Sequence, residues 1–316
     1  MPLKAIWSQN SPYSKFLLTV GIILVCATFF TLLSMILATV FYGVSLEGLN
    51  TLLTDYSNPK TISVLKFIQT VSTIGTFILP AVLLAWMFDP EPARFLSLQK
   101  RPSAKGMILV VLALLAALPA INFLGEINSR MSLPSFLSGI EKWMKESEDK
   151  AAELTKYFME MHSPADLVLN IFMIGLLPAI GEELIFRGLI QRIFSGWLKN
   201  KHVAIWLTAI LFSAMHIQFY GFLPRMMLGV LLGYLLAWSG SLWLPMLAHF
   251  VNNAAAILLT WLFRKQLIGM DADKIGTEEY LSVLVSVVVA GVLIFMIYQS
   301  EGRRTVPEDP SPILGN

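Results

Sequence analysis

Cysteine is almost missing from this chain. The single residue, Cys26, lies in an apolar run, so neither a disulfide framework nor a thiolate metal cluster can be built from it. Charge is scarce too: 14% of the 316 residues are charged against 56% hydrophobic, and the mean hydropathy is +0.67. An ordinary soluble domain needs more polar surface than that, so a polytopic membrane protein is expected. The net charge of +2 is small and the basic residues are scattered, which excludes nucleic acid as a partner. No internal repeat is visible, which argues against the inverted-repeat plan of many transporters. The first apolar run is too long for a removable signal peptide and lacks a small-residue cleavage site, so it reads as a permanent helix.

What is present in abundance is hydrocarbon. A window of about 20 residues, enough to cross roughly 30 Å of lipid, picks out candidate spans at 16–42, 68–88, 106–124, 167–193, 204–217, 223–238, 242–263 and 280–298. The expected fold is therefore all-α, a polytopic bundle of about eight transmembrane helices. The fifth and sixth spans are short and are interrupted by Gln218, Pro224 and Arg225, so seven spans or a re-entrant segment also fit. The organisation follows: helices one to three in 1–125, an extramembrane amphipathic segment at 126–166, a core of helices four to seven in 167–263, a final helix in 264–300 and a disordered tail at 301–316 carrying Pro307, Pro310 and Pro312. A cytoplasmic N-terminus puts Arg94, Lys100, Arg101, Lys105, Arg192, Lys199, Lys201, Arg303 and Arg304 inside, in line with the positive-inside tendency.

The segment at 126–166 mixes Trp143, Leu154, Phe158 and Met161 with alternating charges. Two readings fit it: a solvated amphipathic helix lying on the membrane surface, or a lid over a chamber in the bundle.

Polar chemistry inside the apolar spans is confined to a few residues. Glu182, Glu183 and Arg187 fall within one stretch, although an ionised side chain near a bilayer centre costs about 2.5 to 3.5 kcal/mol on insertion scales. At 100° per residue Glu183 and Arg187, i and i+4, are about 40° apart and can pair, while Glu182 lies about 140° from Arg187 and is free to address a cavity. A carboxylate so placed suits a general base acting on water. The plainer reading is a buried charge network that pins helices together. His216, four residues after Phe212, and His249, four residues before Asn253, occupy two later spans. Asn252 is an alternative for the same face as Asn253. A base, two imidazoles and a carboxamide from separate helices are the parts needed to activate water and hold an oxyanion.

These motifs, EExxxR as Glu182, Glu183 and Arg187, FxxxH as Phe212 and His216, and HxxxN as His249 and Asn253, resemble in kind and order those of the CAAX-protease and bacteriocin-processing (CPBP, also ABI) family of intramembrane endopeptidases. The type II CAAX prenyl endopeptidase is its eukaryotic member. The resemblance covers about 167–262, and the stretch holding Gly229 and Gly233 in a GxxxG spacing also looks like the family; close helix packing is expected there. The resemblance implies an integral membrane enzyme that hydrolyses a peptide bond of a membrane-associated peptide or protein. Glu182 would activate water with His216, Glu183 and Arg187 would support them, and His249 and Asn253 would stabilise the oxyanion. Two histidines and a glutamate also match the ligand number of a catalytic zinc site, so no cofactor or one divalent metal both fit; the lack of an HExxH pair on one helix favours the metal-free scheme. Partners would be the peptide or membrane-protein substrate and the lipid bilayer, and the location a bacterial cytoplasmic membrane. The alternative from another class is a non-proteolytic immunity or scaffold protein that binds a peptide in the same cavity.

Overall fold

The computed structural model describes residues 4–45, 48, 56, 58–269, 274–276 and 279–302. Of the expected tail, 303–316 lies outside the described residues, together with Arg303 and Arg304; Glu301 and Gly302 close the last helix. Among the described residues there is no strand. The chain is a bundle of helices: α1 Pro12–Tyr42, α2 Pro59–Phe88, a short α3 Pro92–Phe95, α4 Ala104–Ser129, α5 Ser138–Phe158, α6 Pro164–Leu198, α7 Lys201–Ala214, α8 Phe222–Ser239, α9 Trp243–Arg264 and α10 Tyr280–Gly302.

The helices begin where the sequence offers a cap. Ser11, Asn58, Ser103 and Asn200 each accept a backbone N–H of the first turn of α1, α2, α4 and α7. Pro12, Pro59 and Pro164 occupy first-turn positions, where a missing N–H costs nothing. Ser163 and Asp166 close a reciprocal capping box on α6. Gly240 ends α8 in the left-handed region at φ 62° and leads directly into α9.

Seven of these helices are long and apolar enough to cross a membrane. The expected fifth span is corrected: α7 has 14 residues and reaches about 21 Å, short of the roughly 30 Å of a hydrocarbon core. Its end is marked by Ile217, a β-branched residue held at φ 52°, and a 3₁₀ turn at Phe219–Gly221 carries the chain into α8. His216 falls in the turn after this early stop and is partly buried.

α1 and α10 present Leu24, Val25, Phe29, Leu281 and Val288 outward, as lipid-facing helices do. α6 is the inner helix: half of its most apolar window is buried against 11% for α1. In its C-terminal half Phe186 and Leu189 pack with Leu84, Phe88, Phe212 and Leu242. A second core of Leu109, Val110, Leu232, Leu244 and Ile297 joins α4, α8, α9 and α10. Glu301, at the end of α10, is buried and accepts hydrogen bonds from the Ser103 N–H and hydroxyl, which fastens α10 to the start of α4.

α2 and α6 are each interrupted by π-helical turns, at Ile74–Ile78 in α2 and at Ile171–Leu176 and Leu184–Ile190 in α6. The first turn in each helix is followed two residues on by a proline, Pro80 or Pro178, which has no N–H for the carbonyl four residues back and so loosens the α ladder locally. The two helices meet closely at Gly181. A Cβ there would stand 2.7 Å from Phe77 Cβ, so only glycine permits the approach.

α5 lies across the turn between α7 and α8. Trp143 packs on Phe219 at 5.5 Å between ring centroids, and the Tyr220 N–H donates to Glu148 Oε2 at 3.2 Å.

Candidate active site

The polar residues of α6 sit where its middle faces α7, α8 and α9. Glu183 and Arg187 are both fully buried and close an ion pair, Arg187 Nη1 to Glu183 Oε1, at 2.7 Å. Arg187 Nη2 donates to the Gly229 carbonyl at 3.1 Å, and its guanidinium lies 4.5 Å above the Phe212 ring. One turn on, Gln191 Nε2 donates to the Gly233 carbonyl at 3.2 Å. The GxxxG spacing therefore does two things. It lets α7 approach, with Ala209 Cβ 3.1 Å from where a Cβ on Gly229 would stand, and it bares two backbone carbonyls to side chains of α6.

His249, near the start of α9, reaches the same carboxylate: its Nδ1 is 3.0 Å from Glu183 Oε1. Beside a carboxylate that nitrogen carries the proton and donates, so Nε2 is turned away, 3.9 Å from Glu182 Oε2. His216 is arranged in parallel. Its Nδ1 is 2.8 Å from the Phe212 carbonyl and must donate to it, which leaves Nε2 as a lone pair 4.0 Å from the same Glu182 oxygen. Phe212 separates the two imidazoles, with its ring edge-on to His216 at 5.1 Å and to His249 at 5.8 Å. Glu182 Oε2 itself is buried and receives no hydrogen bond from the described residues.

Five of the six site residues expected from the sequence thus meet. Glu183 is held by Arg187 and Glu182 stands apart from that pair, facing both histidines. Asn253 is placed differently. Its Nδ2 donates to the Ile174 carbonyl at 3.3 Å, and its Oδ1 accepts from Asn252 at 3.2 Å. Ile174 is four residues before Pro178, so the α-helical donor for that carbonyl is missing and Asn253 supplies one from α9. One N–H of the carboxamide is committed there.

Three contributors escaped the sequence reading. Gln191 gave no signal beyond a polar residue on an apolar helix. The part of Phe212 as a wall shared by both imidazoles and the guanidinium depends on the packing of three helices. Arg225 read only as an interruption, yet it bonds the Gln218 carbonyl at 3.0 Å and the Gln218 side chain, and lies near enough to Glu182 and Glu148 to act on both electrostatically.

No group of three His, Cys, Asp or Glu among the described residues is arranged to hold a metal ion. The imidazole nitrogens stand 3.9 and 4.0 Å from the carboxylate oxygen, wider than the roughly 3.4 Å between neighbouring ligands of a tetrahedral ion with bonds near 2.1 Å. A water at about 2.8 Å from the carboxylate and from either nitrogen fits the same gap.

Comparison with known proteins covers this region. Residues 164–255 match the profile of the type II CAAX prenyl endopeptidase Rce1-like family. A curated relative, the "Uncharacterized protein YpbD" of Bacillus subtilis (strain 168), is 32% identical over 89 residues, which is 27% of this chain and 42% of that protein. The match therefore spans less than half of the relative's length. No solved structure matches the chain significantly. The matched residues contain α6, α7, α8 and the His249–Asn253 turn of α9, the elements that assemble the Glu182 cluster, and over them this integral membrane protein is similar to the Rce1-like type II CAAX prenyl endopeptidases.

Proposed function

We propose that the protein is an intramembrane endopeptidase in which Glu182 activates water for attack on a peptide bond of a membrane-associated peptide or protein. The observation that carries this reading is the isolation of Glu182 Oε2, a buried acceptor with no protein donor, 3.9 and 4.0 Å from two imidazole nitrogens. Glu183 Oε2 also lacks a partner among the described residues, but Glu183 Oε1 is spent on Arg187 and His249, as a structural carboxylate's oxygen would be.

The chemistry follows from who holds which proton. A water between Glu182 and His216 gives one hydrogen to the carboxylate and directs the other to the His216 lone pair, so its oxygen faces the scissile carbonyl. As the oxygen–carbon bond forms, Glu182 takes the proton, and the carbonyl π electrons move onto oxygen. Glu182 then returns the proton to the departing amine nitrogen as the carbon–nitrogen bond breaks. The developing oxyanion needs a donor. With His249 Nδ1–H given to Glu183, His249 Nε2 donates only as imidazolium. The second Asn253 N–H is the other available donor. Glu183, itself held by Arg187, thereby acts through His249, which it orients.

The test compares new peptide termini in membrane fractions from cells with wild-type protein or Glu182→Gln. Termini that appear only with wild type, and that purified wild-type protein generates in vitro while Glu182→Gln is about 10³-fold slower, support the reading. Identical termini in both would overturn it and favour a non-proteolytic binding role.

A further inference from the structure

A cavity away from Glu182 lies at the end of the bundle where α1 finishes, α2 and α6 begin and α5 ends. It encloses about 490 Å³, within the range of small-molecule sites. Asp166 on its wall precedes Glu182 by sixteen residues of α6, about 24 Å of helix rise.

Its unusual wall residue is Lys66. This lysine lies in the second turn of a membrane-spanning helix, is only 7% exposed, and makes no ion pair or side-chain hydrogen bond among the described residues. Its ammonium lies 5.9 Å from the Phe158 ring centroid, a weak substitute for an anion. A buried cation of this kind is costly unless something outside the chain meets it. The neighbouring charges are of the other sign but otherwise engaged or set apart. Asp166 is fixed by the His162 N–H at 3.0 Å and by the Ser163 N–H and hydroxyl, each at 2.9 Å, and acts on Lys66 only from a distance. Glu160 lines the same cavity.

Tyr42 and Tyr157 also line the cavity, and tyrosine is a residue type that marks headgroup level in a bilayer. Leu169 also lines the cavity and is 45% exposed, beside Val168 and Phe172, which are exposed as well. The cavity is thus continuous with a lipid-facing surface. A buried cation, two carboxylates and two tyrosines lining one cavity, with an exposed apolar surface beside it, match a zwitterion attached to hydrocarbon.

We propose that this cavity binds the phosphoethanolamine headgroup of a membrane lipid, with its phosphate on Lys66, its primary ammonium toward Glu160 and Asp166, and its acyl chains over Leu169. A quaternary ammonium offers the carboxylates no N–H, and an anionic glycerol headgroup meets them with no cation. The site does not depend on the peptidase reading.

The full chain in detergent is titrated with phosphatidylethanolamine, phosphatidylcholine, phosphatidylglycerol and inorganic phosphate, with bound lipid counted by native mass spectrometry. Phosphatidylethanolamine is expected to bind one per chain and about tenfold more tightly than the other two lipids, with inorganic phosphate a weak competitor. Lys66→Met should lose about tenfold, Lys66→Arg should hold most of the affinity, and Glu160→Gln should narrow the gap between phosphatidylethanolamine and phosphatidylglycerol. Equal binding of the three lipids by wild type, unchanged binding by a folded Lys66→Met, or inorganic phosphate competing as well as the lipid would each overturn the proposal. If Lys66→Met does not fold, the headgroup ranking of the wild-type chain decides alone.

Discussion

The Glu183–Arg187 pair shows how a membrane interior treats charge residue by residue. Both side chains are fully buried, and Arg187 finds its remaining partners in the Gly229 carbonyl and the face of Phe212. Removing one member leaves the other unpaired in low dielectric. Arg187→Met is therefore expected to cost about 3–5 kcal/mol, and Glu183→Gln with Arg187→Met together to cost less than the sum of the single changes. Unfolding of the four proteins in detergent measures this coupling. Glu182 makes the opposite case. Its Oε2 has no donor among the described residues, so Glu182→Gln should leave stability within about 0.5 kcal/mol of wild type while activity is lost. A large loss of stability would mean that Glu182 is part of the structural network.

Among the elements, α6 is built around its defects. Pro178 withholds the donor that the Ile174 carbonyl would have in an α-helix, and Asn253 provides one from α9. Asn253→Ala should therefore destabilise by about 0.6–1.7 kcal/mol, the range of interhelical hydrogen bonds in membranes. In a Pro178→Ala background, where residue 178 regains its N–H, the cost of Asn253→Ala should shrink. If Asn253 also donates to the oxyanion, its kcat defect will persist in that background, which separates the two roles. Gly181 is the matching constraint on approach. Its Cβ position is 2.7 Å from Phe77 Cβ and 3.3 Å from Ile78, so Gly181→Ala should force α2 and α6 apart at a cost of about 1–3 kcal/mol. Thermal unfolding in detergent checks it, and Phe77→Ala should relieve part of the loss.

For the whole molecule, the helices group their ends into two faces. One carries α5 with the α7–α8 turn; the other carries the α2–α4 and α6–α7 connections with Arg94, Lys100, Arg101, Lys105, Lys199 and Lys201. With a cytoplasmic N-terminus the basic connections face the cytoplasm and α5 the opposite side. In a Cys26→Ser background, Lys105→Cys is expected to react with a membrane-impermeant maleimide only after the membrane is opened, and Lys150→Cys on α5 in intact cells. The reverse pattern would invert the orientation.

The all-α membrane bundle was legible in the chain because lipid imposes a length and an apolar composition on every crossing segment, and both can be counted residue by residue. So was the pairing of Glu183 with Arg187, since four residues along a helix is a local geometry. The span count was less legible: α7 is as apolar as its neighbours but stops after 14 residues, and its stop depends on a left-handed Ile217 and a 3₁₀ turn that no local pattern announces. The tertiary structure alone decided that two lone histidines, one in the turn after α7 and one on α9, place Nε2 near one oxygen of Glu182. It also decided that Gly229 and Gly233 lend their carbonyls to α6, and that Lys66 is buried beside a cavity. Composition and periodicity fix how each helix meets lipid, because that contact is nearly the same along any membrane helix. Which side chains meet one another depends on the rotation and depth of each helix against its neighbours, and those are set by packing between segments far apart in the chain.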